Sequence, residues 1–65
     1  MEPEKLLNSD TVASMLNMSR SWVLQHARGR RRPIIPSVKL GRAVRFRRDD
    51  IRRFISHALR ENKSV

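Results

Sequence analysis

Apolar positions along the chain change their spacing three times, and each change marks a different kind of element. From Ser9 to Leu16 they fall at Val12, Ala13 and Leu16, one short helical face. Asn8 or Ser9 can cap this helix, and Asp10 sits in its first turn, where a carboxylate suits the helix dipole. Asn17-Met18-Ser19 breaks the pattern. Asn accepts the left-handed dihedrals of a tight turn, and Ser19 is a good N-cap for a second helix. That helix carries Val23 and Ala27 inward and ends near Gly29. Ahead of both helices lies a loose lead-in, residues 1–7, with Leu6 and Leu7 apolar enough to pin it to the core.

After Gly29 the helical spacing is lost. Pro33 and Pro36 forbid helix, and Ile34 and Ile35 between them are expected to plug the core. Two alternating runs follow, Ser37-Val38-Lys39-Leu40 and Ala43-Val44-Arg45-Phe46, joined by Gly41-Arg42. A two-residue loop beginning with Gly predicts a β-hairpin. Val38 and Leu40 are expected to share an inward face with Val44 and Phe46, leaving Lys39 and Arg45 outward and Arg42 at the tip. From about Arg48 the period returns to helical. Ile51, Phe54, Ile55, Ala58 and Leu59 make a core-facing stripe, with Asp49 and Asp50 in the first turn and Arg52, Arg53, Ser56 and Arg60 outside. Residues from about Asn62 onward are expected to fray.

The order is therefore α-α-β-β-α, mainly helical with one small hairpin. The first two helices, their three- or four-residue turn and the small Ala13 at the crossing resemble a helix-turn-helix. All 65 residues fit one domain, its core spanning about 6–60. A chain of this size buries only ~60% of its unfolded surface, so a large enclosed substrate pocket is not expected.

Charge narrows the partner. Fifteen Lys and Arg face six Asp and Glu, a formal charge of +9. Twelve of the fifteen are Arg, the residue suited to bidentate contact with phosphate or guanine. A polyanionic partner follows. The absence of cysteine excludes disulfides and thiolate metal sites and fits a reducing cytoplasm. No apolar run approaches a membrane span, and the acidic start (Met1-Glu2-Pro3-Glu4) is no signal peptide.

With the order of elements in place, the chain resembles the excisionase-type branch of the MerR-like winged helix-turn-helix proteins. The match rests on Leu7-Asn8, Ser19-Arg20-Ser21, Val38-Lys39-Leu40, Gly41-Arg42, Val44-Arg45-Phe46 and Asp50-Ile51. It covers roughly residues 6 to 56. Asn8, Asn17, His26 and the arginine cluster before the hairpin depart from the pattern and bear on DNA preference. The resemblance implies a winged helix-turn-helix that binds double-stranded DNA, bends it and directs a site-specific recombinase toward excision. Cooperative self-association on repeated sites is implied with it. Relatives of this size also act as small transcription regulators, and the residues do not separate the two roles. A MerR-type regulator adds a dimerisation helix and an effector domain after this point, so no small-molecule effector is expected.

Particular side chains then acquire roles. Ser19, Arg20, Ser21, Trp22, Gln25 and Arg28 lie on or beside the outward side of helix 2, whose N-terminal residues meet base edges in a helix-turn-helix. Arg can grip guanine and Gln adenine, while Ser can reach a base or a phosphate. Trp22 either packs on a thymine methyl or covers Ile34 and Ile35. Arg30, Arg31, Arg32 and Arg47 are expected on phosphates. Lys39, Arg42 and Arg45 would make the hairpin a wing, a role the resemblance implies most strongly for Arg45.

Catalysis has little support. Ser19, Ser21 and His26 are close in sequence, yet no carboxylate on the same helix orients His26. His26 reads as a partly buried packing residue and His57 as a surface one. Asp49 and Asp50 start a helix and have no further ligand to make a metal pair, so neither metal nor cofactor is expected. Two other readings compete: a structural RNA-binding protein of similar charge, and a basic amphipathic membrane binder using residues 48–60.

Overall fold

The structure, a computed structural model, describes residues 4–61. Its elements are α1 (Ser9–Leu16), α2 (Arg20–Ala27), β1 (Val38–Leu40), β2 (Ala43–Arg45) and α3 (Arg48–Glu61), in the order read from the sequence. The residues expected to fray from Asn62 onward lie outside those described. No helix among the described residues is long and apolar enough to cross a membrane.

Local chemistry explains the helix pair. Asn8, rather than Ser9, caps α1: its Oδ1 accepts the Thr11 N–H at 2.8 Å, satisfying one of the orphan donors of the first turn. Asn17 takes the left-handed conformation (φ 55°, ψ 43°), and the Met18 N–H returns to the Ala13 carbonyl at 2.9 Å. Ser19 then caps α2 through its Oγ, which accepts the Trp22 N–H at 3.0 Å.

Five side chains are sealed from solvent: Val12, Val23, Ile35, Phe46 and Ile51. They come from α1, α2, the proline-flanked loop, the residue after β2, and α3, so each helix supplies one sealed residue and β1 supplies none. Leu7, Ala13, Ala27 and Val44 complete the buried apolar set, and Leu16, Trp22, Leu24, Phe54 and Ile55 pack against it half-buried.

Three expectations need correction. Only Ile35 of the isoleucine pair plugs the core, because Ile34 is 45% exposed. The stripe of α3 is buried at its start alone. Ile51 is sealed, Phe54 and Ile55 are half-buried, and Leu59 is 69% exposed. At 14 residues against eight in α1 and α2, α3 outruns the core the others build. The third correction concerns the hairpin. The two-residue loop pairs Leu40 with Ala43, Lys39 with Val44 and Val38 with Arg45. Directly opposite residues share a face, so Val38 and Leu40 lie with Arg45 and not with Val44. The apolar side chains of the two strands therefore fall on opposite faces. Only β2 and Phe46 serve the core, while Leu40 is exposed. Gly41 alone of the loop pair has a positive φ (64°), the II′ pattern expected of a leading Gly.

Candidate nucleic-acid interface

The outward face of α2 begins with Ser19 and Arg20, both exposed, continues through Ser21 and the half-buried Gln25, and ends at exposed Arg28. Ser19 spends its oxygen on the cap but keeps a hydroxyl proton to donate. Arg20, Ser21, Leu24, Gln25, Arg28 and Arg30 line one continuous shallow surface. Trp22 belongs elsewhere. It is half-buried against the core, and its ring stacks on His26 at 3.8 Å between centroids.

A second concavity lies between α2, the start of α1 and the hairpin. Arg20, Arg28, Arg42 and Arg45 line it together with Asn8, Ser9 and Asp10. Its volume is about 250 Å³, below the ~300–1,000 Å³ of ordinary small-molecule sites, and its chemistry is that of an anion cleft. Arg42 at the exposed hairpin tip and Arg20 on α2 thus face one gap from two sides. Arg45 sits at the root of the hairpin, half-buried, donating from Nη1 to the Val44 carbonyl at 2.9 Å. Lys39 lies on the opposite hairpin face, its Nζ 3.4 Å from the Ser37 hydroxyl. Arg42 and Arg45 therefore share the cleft, and Lys39 stands apart from them.

The arginine cluster also divides. Arg28 and Arg30 join the α2 surface, whereas Arg32 lies beside Pro33, Phe54 and His57 at the distal part of α3. The chain between them is fastened to the end of α2. The Arg30 N–H reaches the Gln25 carbonyl at 3.0 Å, the Ile35 N–H the His26 carbonyl at 3.2 Å, and the Ser37 hydroxyl the Ala27 carbonyl at 3.5 Å. Gly29, with φ 79°, makes the left-handed turn that starts this path. The last carbonyls of α2 are thus satisfied by loop residues that carry the arginines.

Electrostatics concentrate charge on this side. No acidic residue occurs between Asp10 and Asp49, a stretch with ten Lys and Arg. Two of the ten are held by carboxylates at its borders: Arg20 pairs with Asp10 at 3.6 Å and Arg47 with Glu4 at 3.0 Å. The hydrogen bond to Glu4, then its charge, raises the Arg47 pKa further above the ordinary arginine value. On α3, by contrast, Arg52 and Arg53 pair with Asp49 and Asp50 one turn earlier, and His57 with Glu61. Among the described residues Arg28, Arg30, Arg31 and Arg42 have no carboxylate partner. The same holds for Lys5, Arg32, Lys39, Arg45, Arg48 and Arg60, so the longest run of uncompensated charge, from Arg28 to Arg45, covers the end of α2, its loop and the hairpin.

Sequence reasoning missed the carboxylates Asp10 and Glu4 as partners of two candidate contacts, because nothing in spacing brings residues 10 and 20 or 4 and 47 together. It also missed the part of His26, which is 4% exposed and donates from Nδ1 to the Pro33 carbonyl at 2.7 Å. No cluster of His, Cys, Asp or Glu among the described residues is arranged to hold a metal.

The comparisons agree with this geometry. Residues 6–58 match the model of the family described as "Helix-turn-helix domain". No curated protein and no solved structure matches the chain. Because the match spans more than half of the chain, this is a small DNA-binding protein that belongs to the helix-turn-helix domain family.

Proposed function

We propose that the domain reads duplex DNA through α2 and acts as an excisionase-type accessory factor, bending its site so that a site-specific recombinase turns toward excision. Arg20, Ser21 and Gln25 meet base edges in the major groove. Arg28, Arg30 and Arg31 hold flanking phosphates, Arg47 is within reach of one once Glu4 releases it, and Arg42 at the hairpin tip reaches the adjacent backbone. Lys39 and Arg32, turned to other sides, add to the long-range field more than to contact. The domain works by binding alone, without a chemical step, and neighbouring copies on repeated sites assist one another.

One observation carries this reading. Arg20 and Arg42 face a single polar cleft, one from the candidate recognition helix and one from the hairpin, with uncompensated arginines continuing along its edge. Only a polyanion with regularly spaced charges uses such an arrangement in full.

The test begins with a site selected from random duplexes and titrated at several salt concentrations. If roughly six phosphates are neutralised, log K falls with log salt at a slope near −5. A slope flatter than about −2, or equal binding to folded RNA, removes the duplex-DNA reading. Mobility of circularly permuted duplexes then measures bending. A straight complex rejects the excisionase role and leaves a simple transcription regulator of the same fold.

A further inference from the structure

His26 is buried and is not among the residues that line the α2 surface, yet it makes the shortest side-chain hydrogen bond among the described residues. Its Nδ1 lies 2.7 Å from the Pro33 carbonyl oxygen. A carbonyl only accepts, so the ring carries its proton on Nδ1 and donates. The imidazole is 4% exposed and is clamped on one side by the Trp22 ring, 3.8 Å away and inclined by 23°. The His26 carbonyl meanwhile accepts from the Ile35 N–H at 3.2 Å. One residue thus grips the arginine loop twice, at Pro33 with its side chain and at Ile35 with its backbone.

Those two points bracket the return of the loop. Gly29 starts it, Arg30, Arg31 and Arg32 form its outer arc, and Pro33 to Ile35 bring the chain back to the core. A run of three arginines repels itself, and a free loop would spread it into solvent. Holding the far end of the arc fixes where the guanidinium groups can reach before any ligand arrives. Pre-set geometry removes an ordering cost that binding would otherwise bear.

We infer that His26, with Trp22 stacked on it, is a positioning residue that presents Arg30 and Arg31 to the DNA backbone beside the recognition helix. The role rests on the duplex-DNA reading above. It predicts an effect of His26 that runs through the loop arginines and not through the fold at large.

Two substitutions separate these. His26→Phe keeps an aromatic ring on Trp22 and removes the donor. His26→Asn restores an N–H near the Nδ1 position and gives up the stack. Each is made in the natural sequence and in an Arg30→Ala/Arg31→Ala background, and each is titrated on the selected duplex at several salts. Amide exchange of Ile35 is followed in the free protein. In the natural sequence His26→Phe is expected to lower affinity roughly three- to tenfold, the ordinary worth of one lost hydrogen bond, and to flatten the salt slope by one to two. Ile35 exchange should quicken by a similar factor. In the double-alanine background the same change should leave affinity and slope where they are, and His26→Asn should recover most of the loss.

An equal loss in both backgrounds, with an unchanged salt slope, makes His26 a packing residue and overturns the inference. Where His26→Phe does not fold, His26→Asn decides: near-natural binding with a protected Ile35 amide supports the latch, and equal weakening in both backgrounds rejects it. A natural protein with a slope flatter than about −2 is a different failure. It removes the duplex-DNA reading, and this role with it, even if the Ile35 amide shows that the latch exists.

Discussion

Leu7 and Phe46 exchange both backbone hydrogen bonds, Leu7 N–H to Phe46 at 2.7 Å and Phe46 N–H to Leu7 at 2.8 Å. The lead-in thereby becomes a one-residue third strand beside β2. A two-stranded hairpin is marginal in water, and this pair ties its root to the start of α1. Both side chains are buried, Phe46 completely. The hairpin that presents Arg42 and Arg45 is therefore built on the core and does not hang from it.

The two phenylalanines should consequently behave differently. Phe46 is sealed and Phe54 only half-buried. Phe46→Ala is expected to cost ~3–5 kcal/mol, comparable to the whole stability of a domain this small, and to unfold it. Phe54→Ala should cost roughly half as much and leave a cooperative transition at a lower midpoint. Denaturant titration followed by Trp22 emission measures both. A Phe54 loss equal to that of Phe46 would mean that α3 is more deeply packed than its exposure indicates.

The left-handed turn offers a cleaner test of local chemistry. Asn17 holds φ 55° between α1 and α2, and an L-residue without a local hydrogen-bonding side chain occupies that region at a cost of ~1–2 kcal/mol. Asn17→Ala should lose about that amount, while Asn17→Gly should hold or improve stability. If alanine were tolerated as well as glycine, the turn would not have the conformation described.

These positions also show why some of the molecule is legible in sequence and some is not. Asn8, Asn17, Ser19 and Gly41 act on their immediate neighbours, so residue type and offset were enough to place the second cap, the turn and the loop and to narrow the first cap to Asn8 or Ser9. The order α-α-β-β-α follows from them. Hairpin faces failed because the apolar residues of the two runs do not share one face in the register a two-residue loop imposes. Val38 pairs with Arg45, and the alternation that reads as inward on β1 belongs to the outer side. The distal stripe of α3 failed for another reason. Periodicity reports an apolar face but not whether another element reaches it, and Leu59 stays 69% exposed. In the candidate site, the outward order of Arg20, Ser21 and Gln25 was readable from the cap at Ser19. The ion pairs to Glu4 and Asp10 and the split of the arginine cluster depend on tertiary placement, for which the chain carries no local signal.

Glu4 supplies a prediction about affinity. It holds Arg47 in a two-oxygen contact at 3.0 and 3.3 Å, with both groups partly open to water. That contact raises the Arg47 pKa above the ordinary arginine value. A raised pKa adds stability at every lower pH and loses it only in strong alkali, so neutral solutions should show no pH dependence from Arg47. Exposed pairs contribute little to folding. Glu4→Gln should therefore leave the melt unchanged within error. It should also free Arg47 for a phosphate, tightening duplex binding and steepening the salt slope by about one. Unchanged affinity together with an unchanged slope would place Arg47 off the DNA.

The last prediction separates reading from anchoring. Arg20 and Gln25 lie on the α2 surface where base edges would sit, whereas Arg42 is at the hairpin tip and Arg45 at its root. Replacing Gln25 or Arg20 by Ala should cost ~1–3 kcal/mol on the selected site and much less on random duplex, since a bidentate base contact is lost only where the right base is present. Asp10, 3.6 Å from Arg20, restrains its guanidinium, so Asp10→Asn should reduce discrimination in the same direction by a smaller factor. Arg42→Ala and Arg45→Ala should weaken both duplexes by similar factors and flatten the salt slope by about one each. Each variant is titrated on both DNAs at two salt concentrations. Should Arg45→Ala abolish discrimination while Gln25→Ala and Arg20→Ala preserve it, the hairpin and not α2 would be the reader, and the docking geometry proposed here would be wrong.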